Sequence, residues 1–299
     1  MRPRYRRMAA ACTAVVMAAL SACGGSKTAG APNAVVAPPK NLVSSGTLTY
    51  GTAATFPPFE SKAVGGDLEG FDIDMVKALS QSMGLRPKPM DMDFDGLIPA
   101  LSGKRTDIIN SAMYITPERA KKVDFVPYLV IGEALLTRPG NPKKITRIPG
   151  DLSGKTVAVT RGAIGETYME QYNSALKKQG LGAMKIMTLP NNQDAMLAVR
   201  SGRADAFDTS TPGAAAILGK TKGAFSLAAT FKNETKIGIA VRKGDTATAS
   251  AIKKALARWV KSGDYRSLLS TYRLPKESDY FSGSGGSSSP ASPSAAGGS

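Results

Sequence analysis

The sequence predicts an α/β protein arranged as two lobes. Strand-like apolar runs alternate with segments of helical period from Thr47 onward, and the same alternation restarts past the turn Gly140-Asn-Pro142. A chain of 299 residues is long enough to bury two modest cores. No disulfide can staple them, because the only cysteines, Cys12 and Cys23, both lie in the N-terminal segment.

Thr47-Leu-Thr-Tyr-Gly51 reads as a strand, followed by a Pro57-Pro58 turn. Phe71 to Met83 spaces Phe71, Met75, Ala78, Leu79 and Met83 at a helical period. Phe94 to Leu101 carries Leu97, Ile98 and Leu101 and reads as a second helix, with Pro99 near its start. Arg105-Thr-Asp-Ile-Ile109 reads as a buried strand that feeds a helix opened by Thr116-Pro-Glu-Arg119. Thr116 suits the N-cap, Pro117 the first helical position, and Glu118 the positive end of the helix dipole. The second set begins with a strand at Lys155-Thr-Val-Ala-Val159 and a helix from Gly162-Ala-Ile-Gly165 through Leu176. A strand at Lys185–Leu189, a helix at Gln193–Ser201 and a strand at Ala204–Phe207 follow. Lys236–Val241 and the amphipathic helix Ala249–Ser262 belong to whichever lobe has room for them.

The ends are of another kind. Residues 1–7 are basic, Met8–Leu20 is largely apolar, and Ser21 and Ala22 precede Cys23. A run this short falls well below the roughly 20 residues a membrane-spanning helix needs, but it fits a signal-peptide core. Leu20-Ser21-Ala22-Cys23 resembles a lipobox, which implies cleavage after residue 22 and acylation of Cys23. Residues 23–40 are rich in Gly, Ala, Pro and Ser and read as a flexible lipidated tether. Residues 282–299 contain only Gly, Ser, Pro and Ala and read as a disordered tail.

The net charge of +16 invites a nucleic-acid reading, but Arg2, Arg4, Arg6 and Arg7 supply four of those charges within the leader. The remaining Lys and Arg are scattered, with few aromatics among them, so no stacking platform stands out and no nucleic-acid partner is expected. The absence of histidine removes His-based triads and the commonest zinc ligand together.

Gly70-Phe-Asp-Ile-Asp-Met75 closely resembles the signature of extracellular solute-binding proteins of family 3, the polar amino-acid receptors of ABC importers. Further matches follow in the family's order: Thr55-Phe-Pro-Pro-Phe59, Asp93-Phe-Asp-Gly-Leu-Ile98, Ile115-Thr-Pro-Glu-Arg119, Val123-Asp-Phe125, Arg161-Gly162, Ser201-Gly-Arg-Ala-Asp205 and Lys261-Ser-Gly-Asp-Tyr265. The resemblance implies the type II periplasmic binding fold: residues 41–130 with 237–281 as lobe 1, 131–236 as lobe 2, and a ligand cleft between them. The hinge is expected at the two crossovers, near Leu129–Ile131 and Lys232–Ile237.

Carried over residue by residue, the resemblance puts Arg119 on the ligand's α-carboxylate, supported by backbone N–H groups from Gly162 to Gly165, Ile164 among them. Phe56 and Phe94 flank the ligand side chain, and Ser111 and Ala112 line the strand–helix loop of the first lobe. Elsewhere the family pattern breaks. Ala53 and Ser210 stand where ammonium-binding acids are usual, and Tyr114 replaces a small hydroxyl beside the carboxylate. Losing such an acid costs a buried ammonium roughly 3–5 kcal/mol. Asp208, two residues before Ser210 on one strand face, could replace it. Glu133 and Glu166 are the other acids near the cleft, and the plain reading of all three is a surface or packing group.

The function so implied is a lipid-anchored receptor on the extracytoplasmic face of the cell membrane. It would hand a polar amino acid or an amino-acid-like carboxylate to ABC permease subunits. A monomer is expected, with no cofactor, metal or catalytic residue. Two alternatives stay open: a dehydratase similar to cyclohexadienyl dehydratase, and a ligand sensor docking on a membrane receptor.

Overall fold

The computed structural model describes residues 34–231 and 235–282. The chain opens with β1 (Thr47–Thr52), a small antiparallel ladder of β2 (Thr55–Phe56), β3 (Glu60–Lys62) and β4 (Leu68–Glu69), and α1 (Phe71–Ser82). It continues through β5 (Arg86–Asp91), α2 (Leu97–Ser102), β6 (Ile108–Ile109), α3 (Pro117–Lys122) and β7 (Val123–Ile131). The second set is β8 (Glu133–Thr137), β9 (Thr156–Thr160), α4 (Ile164–Lys178), β10 (Lys185–Leu189), α5 (Asn192–Arg200), β11 (Ala206–Ser210), α6 (Thr211–Thr221) and β12 (Ser226–Thr230). The chain then returns through β13 (Thr235–Arg242), α7 (Thr246–Ser262) and α8 (Asp264–Thr271).

Two five-stranded mixed sheets result, ordered β5-β1-β6-β13-β7 and β10-β9-β11-β8-β12. In the first, β1 runs parallel to β5 and β6, while β13 runs antiparallel to β6 and β7. In the second, β9 runs parallel to β10 and β11, and β8 antiparallel to β11 and β12. The strands β7 and β13, which lead between the sheets, pair with each other from Val123↔Arg242 to Ile131↔Thr235. Residues 232–234 of the expected second crossover lie outside the described residues.

Each sheet is apolar on both faces because helices cover both. Phe71 on α1 packs on Tyr128 of β7 and edge-on to Tyr265 of α8 and to Tyr272, welding the returning C-terminal helices to the first sheet. Tyr265 Oη donates to the Tyr128 carbonyl at 2.7 Å, so this buried ring also satisfies its polar end. The second core is built on Phe207 and Phe225 on one face of its sheet, and on Val157, Met169 and Leu176 on the other.

Two details of the family signature have physical causes. Gly70 adopts φ 133, and a Cβ there would lie 2.1 Å from the Phe59 carbonyl oxygen, so only glycine fits. Asp72 is fully buried and accepts the Ala112 N–H at 2.7 Å and the Tyr128 hydroxyl at 2.6 Å. It thereby holds Ala112 at φ 40, a conformation unfavourable for a residue with a Cβ.

The tether expected through residue 40 is corrected at its far end. The N–H groups of Val35 and Val36 both donate to the Ser82 carbonyl, and Val36 is buried against the first core. A β-branched apolar side chain with a docking groove beside it stays on the protein. The leader, Cys23 and the tail beyond Ser282 lie outside the described residues.

Candidate ligand-binding site

Loops at the carboxyl ends of β1, β9 and β11 converge with the starts of α4 and α5 on a cavity of about 250 Å³. This is where open α/β sheets bind ligands. Phe56, Phe94 and Tyr114 give it aromatic walls from the first lobe, and Ile164, Gly165 and Asn192 close it from the second. The lobes touch across it: Asn192 Nδ2 reaches the Thr55 carbonyl at 3.4 Å, and Arg161 lies 3.9 Å from Asp95.

The strand register explains the chemistry of the cavity floor. Ser210 of β11 pairs with Glu133 of β8, so Asp208, two residues back on the same face, is the diagonal neighbour of Glu133. Both carboxyls are buried and line the cavity, and they lie within hydrogen-bond reach of each other. Tyr114 crosses from the first lobe and donates its hydroxyl to Glu133. Burial pushes Glu133 up to about 7 and Asp208 well above the usual carboxylate range. On the opposite wall, Glu60 is 1% exposed and receives the Ser111 hydroxyl at 2.8 Å, with its own titration raised by burial and by Asp72. At the rim, Lys62 pairs with Asp91 at 2.7 Å.

Of the expected site residues, Phe56, Phe94, Ala112, Tyr114, Ile164, Asp208 and Ser210 line the cavity. Arg119, Ser111 and Gly162 do not. The Arg119 side chain instead borders a separate groove behind Phe94, with its guanidinium 5.3 Å from the centre of that ring. It donates from Nη1 to the Tyr114 carbonyl and from Nη2 to the Gly162 carbonyl, each at 2.8 Å, and so bridges the lobes. Burial lowers its titration to about 10, which leaves it charged at neutral pH. Ser111 is engaged by Glu60 and by the Ala53 N–H at 3.0 Å. Ser210 caps α6 through the Gly213 N–H at 3.0 Å. The Gly162 N–H donates to Glu166 at 2.8 Å, so Glu166 serves the start of α4 and not the cavity. The plain reading of Glu133 and Asp208 as surface or packing groups is corrected: strand register turns both inward. Glu60 escaped the sequence reading because nothing sets it apart from its charged neighbours until the β2–β3 turn folds it inside.

Residues 48–275 match the family described as bacterial extracellular solute-binding proteins, family 3. The chain belongs to this family. It is 28% identical over 224 residues to the L-cystine-binding protein of Escherichia coli (strain K12), covering 75% of this chain and 81% of that one. An ancestral arginine-binding protein solved with bound arginine superposes with a TM-score of 0.70 at 36% identity, over 76% of this chain and 98% of the other. An ancestral amino acid-binding protein described as a precursor of cyclohexadienyl dehydratase gives 0.68 at 36% identity, over 76% and 95%. The fold is therefore the two-lobed one of the periplasmic amino acid-binding proteins, and these relatives of family 3 are named for binding.

Proposed function

We propose that this family 3 protein is the solute-capturing component of an ABC importer. On this reading, acylated Cys23 anchors it to the extracytoplasmic face of the cell membrane, and it takes a small amino-acid-like solute into the cleft. One observation carries the reading: the cavity of about 250 Å³ draws its aromatic walls from one lobe and its acidic floor from the other. Such a cavity is completed by closure, which removes water and strengthens every charged contact inside. Calorimetry of the purified chain against amino acids and their close analogues tests it, with small-angle scattering reporting closure. A chain that binds none of them, with no change in radius, would refute capture. Anchoring is tested separately: Cys23→Ser should move the protein from the membrane fraction to the soluble fraction.

Catalysis is a second reading, favoured by two buried acids, Glu133 and Asp208, that line the cavity and whose titration burial raises, as a proton donor's would be. Turnover of prephenate or arogenate by the purified protein would establish it. Both substrates bring carboxylates into a cavity whose one lining cation among the described residues, Lys62, is already paired, so capture takes precedence.

A further inference from the structure

We propose that the cavity takes a small organic cation without a carboxylate, an alkylamine or alkylguanidine, held by Glu133, Asp208 and Glu60 between Phe56, Phe94 and Tyr114. The inference rests on the capture reading of the same cavity and names its ligand class.

Arg119 and the first two N–H groups of the expected carboxylate cradle are engaged by the protein itself. Arg119 donates to the carbonyls of Tyr114 and Gly162 and does not line the cavity. At the start of α4 the Gly162 N–H goes to Glu166 and the Ala163 N–H to the Thr160 carbonyl. Beside the next turn lies the Asp208 carboxyl, so close to Gly165 that a Cβ there would fall 1.8 Å from Oδ2. An acidic side chain of the protein thus stands at the helix start that elsewhere attracts an anionic ligand. Tyr114, in turn, lays a ring where a small hydroxyl would leave room.

The charge lining the cavity is one-sided. Among the described residues, Glu60, Asp91, Asp93, Glu133 and Asp208 face a single cation, Lys62, which is paired with Asp91. Two acceptors remain open. Glu60 is 1% and Asp208 6% exposed, yet Glu60 Oε2 and Asp208 Oδ1 receive no hydrogen bond from the described residues. Buried polar atoms are ordinarily satisfied, and an ammonium brings three N–H donors and a guanidinium five. The aromatic walls add faces on which a cation is attracted. A carboxylate on the same ligand would meet acids at both ends of the cavity and, among the described residues, no free lining cation.

The test is calorimetry on the full chain, purified in detergent, at mildly alkaline pH with matched pairs: agmatine against arginine, cadaverine against lysine, tyramine against tyrosine. At least one decarboxylated member should bind at least about tenfold more tightly than its parent amino acid. Asp208→Asn and Glu60→Gln should each weaken that binding by about tenfold or more while keeping the urea unfolding midpoint near that of the parent. If Asp208→Asn does not fold, Glu60→Gln alone is decisive. An amino acid that binds as tightly as its decarboxylated partner overturns the proposal and leaves the capture reading standing. If no amine in the series binds, the proposal fails as well; if a full amino-acid panel also fails, the capture reading goes with it. Unchanged amine affinity in the folded variants would likewise overturn it.

Discussion

At Gly165 the absence of a side chain makes room for Asp208, because a Cβ would lie 1.8 Å from its Oδ2. Alanine is a good helix former, so Gly165→Ala should leave α4 intact by circular dichroism. The Asp208 carboxyl must then rotate off the cavity floor, and calorimetry should show ligand affinity reduced at least about tenfold. Arg119 gives a second, sharper test. A clamp would act only on ligands bearing a carboxylate, whereas a bridge from the Tyr114 to the Gly162 carbonyl stabilises the closed state whatever the ligand. Arg119→Ala should therefore weaken every ligand by a similar factor, about tenfold for one partly exposed charge-assisted hydrogen bond. Loss confined to carboxylates would return Arg119 to the clamp role. The sequence offered Phe56, Phe94, Tyr114 and Asp208 as candidates, and all four line the cavity, because motif order fixes which loop each residue occupies. It could not show where the Arg119 guanidinium goes, since two backbone carbonyls compete for it and carbonyls leave no mark in a sequence.

Among the elements, α3 is six residues long and buries no residue fully, so its N-cap matters more than its packing. Thr116 Oγ1 accepts the Arg119 N–H at 3.2 Å, and Thr116→Ala should cost about 1 kcal/mol in urea unfolding. Because that N–H belongs to Arg119, the same variant should reproduce a fraction of the Arg119→Ala affinity loss. The elements that periodicity predicted are those with long apolar stripes: α1, α4, α5 and α7 all appear near their expected positions. Those it missed break the pattern for physical reasons. Arg86-Pro-Lys-Pro-Met-Asp91 forms β5 in spite of two prolines because it is an edge strand, where a missing N–H can face away from the ladder. The helix α6 escaped because Gly213 and Gly219 lower its propensity, yet Ser210 caps it, Pro212 suits its first turn, and Ala214 and Ile217 bury against the second core. The strand β8 escaped because its five buried residues carry no alternation.

For the whole molecule, the buried acids set the response to pH. Glu133 and Asp72 are each raised to about 7, and Glu60 and Asp208 are raised well above the usual range, burial being the largest cause throughout. An acid raised in the folded state holds its proton to higher pH than it does in the unfolded chain, where carboxyls titrate near about 4. The folded state then binds more protons, so the slope of unfolding free energy with pH is negative in that window. The stability these groups confer is fully present below about pH 4 and declines as pH rises, through about 7 for Glu133 and Asp72. Asp151 and Asp124, lowered by hydrogen bonds, act in the opposite sense and only on the acid side. The groups facing the Glu133–Asp208 pair do not obscure the effect: Arg119 keeps its charge, and burial pushes Tyr114 and Tyr172 up. Urea midpoints of the ligand-free protein should therefore fall from mildly acidic to neutral pH, and the fall should be shallower in the double variant Glu133→Gln, Asp208→Asn. Parallel curves would remove the pair as a contributor. An amine entering the cavity needs the pair ionised, so its binding should tighten through the same window and release a proton. Calorimetry in two buffers of different ionisation enthalpy counts that proton, and an enthalpy independent of buffer would show that the pair keeps its charge state when the cavity fills.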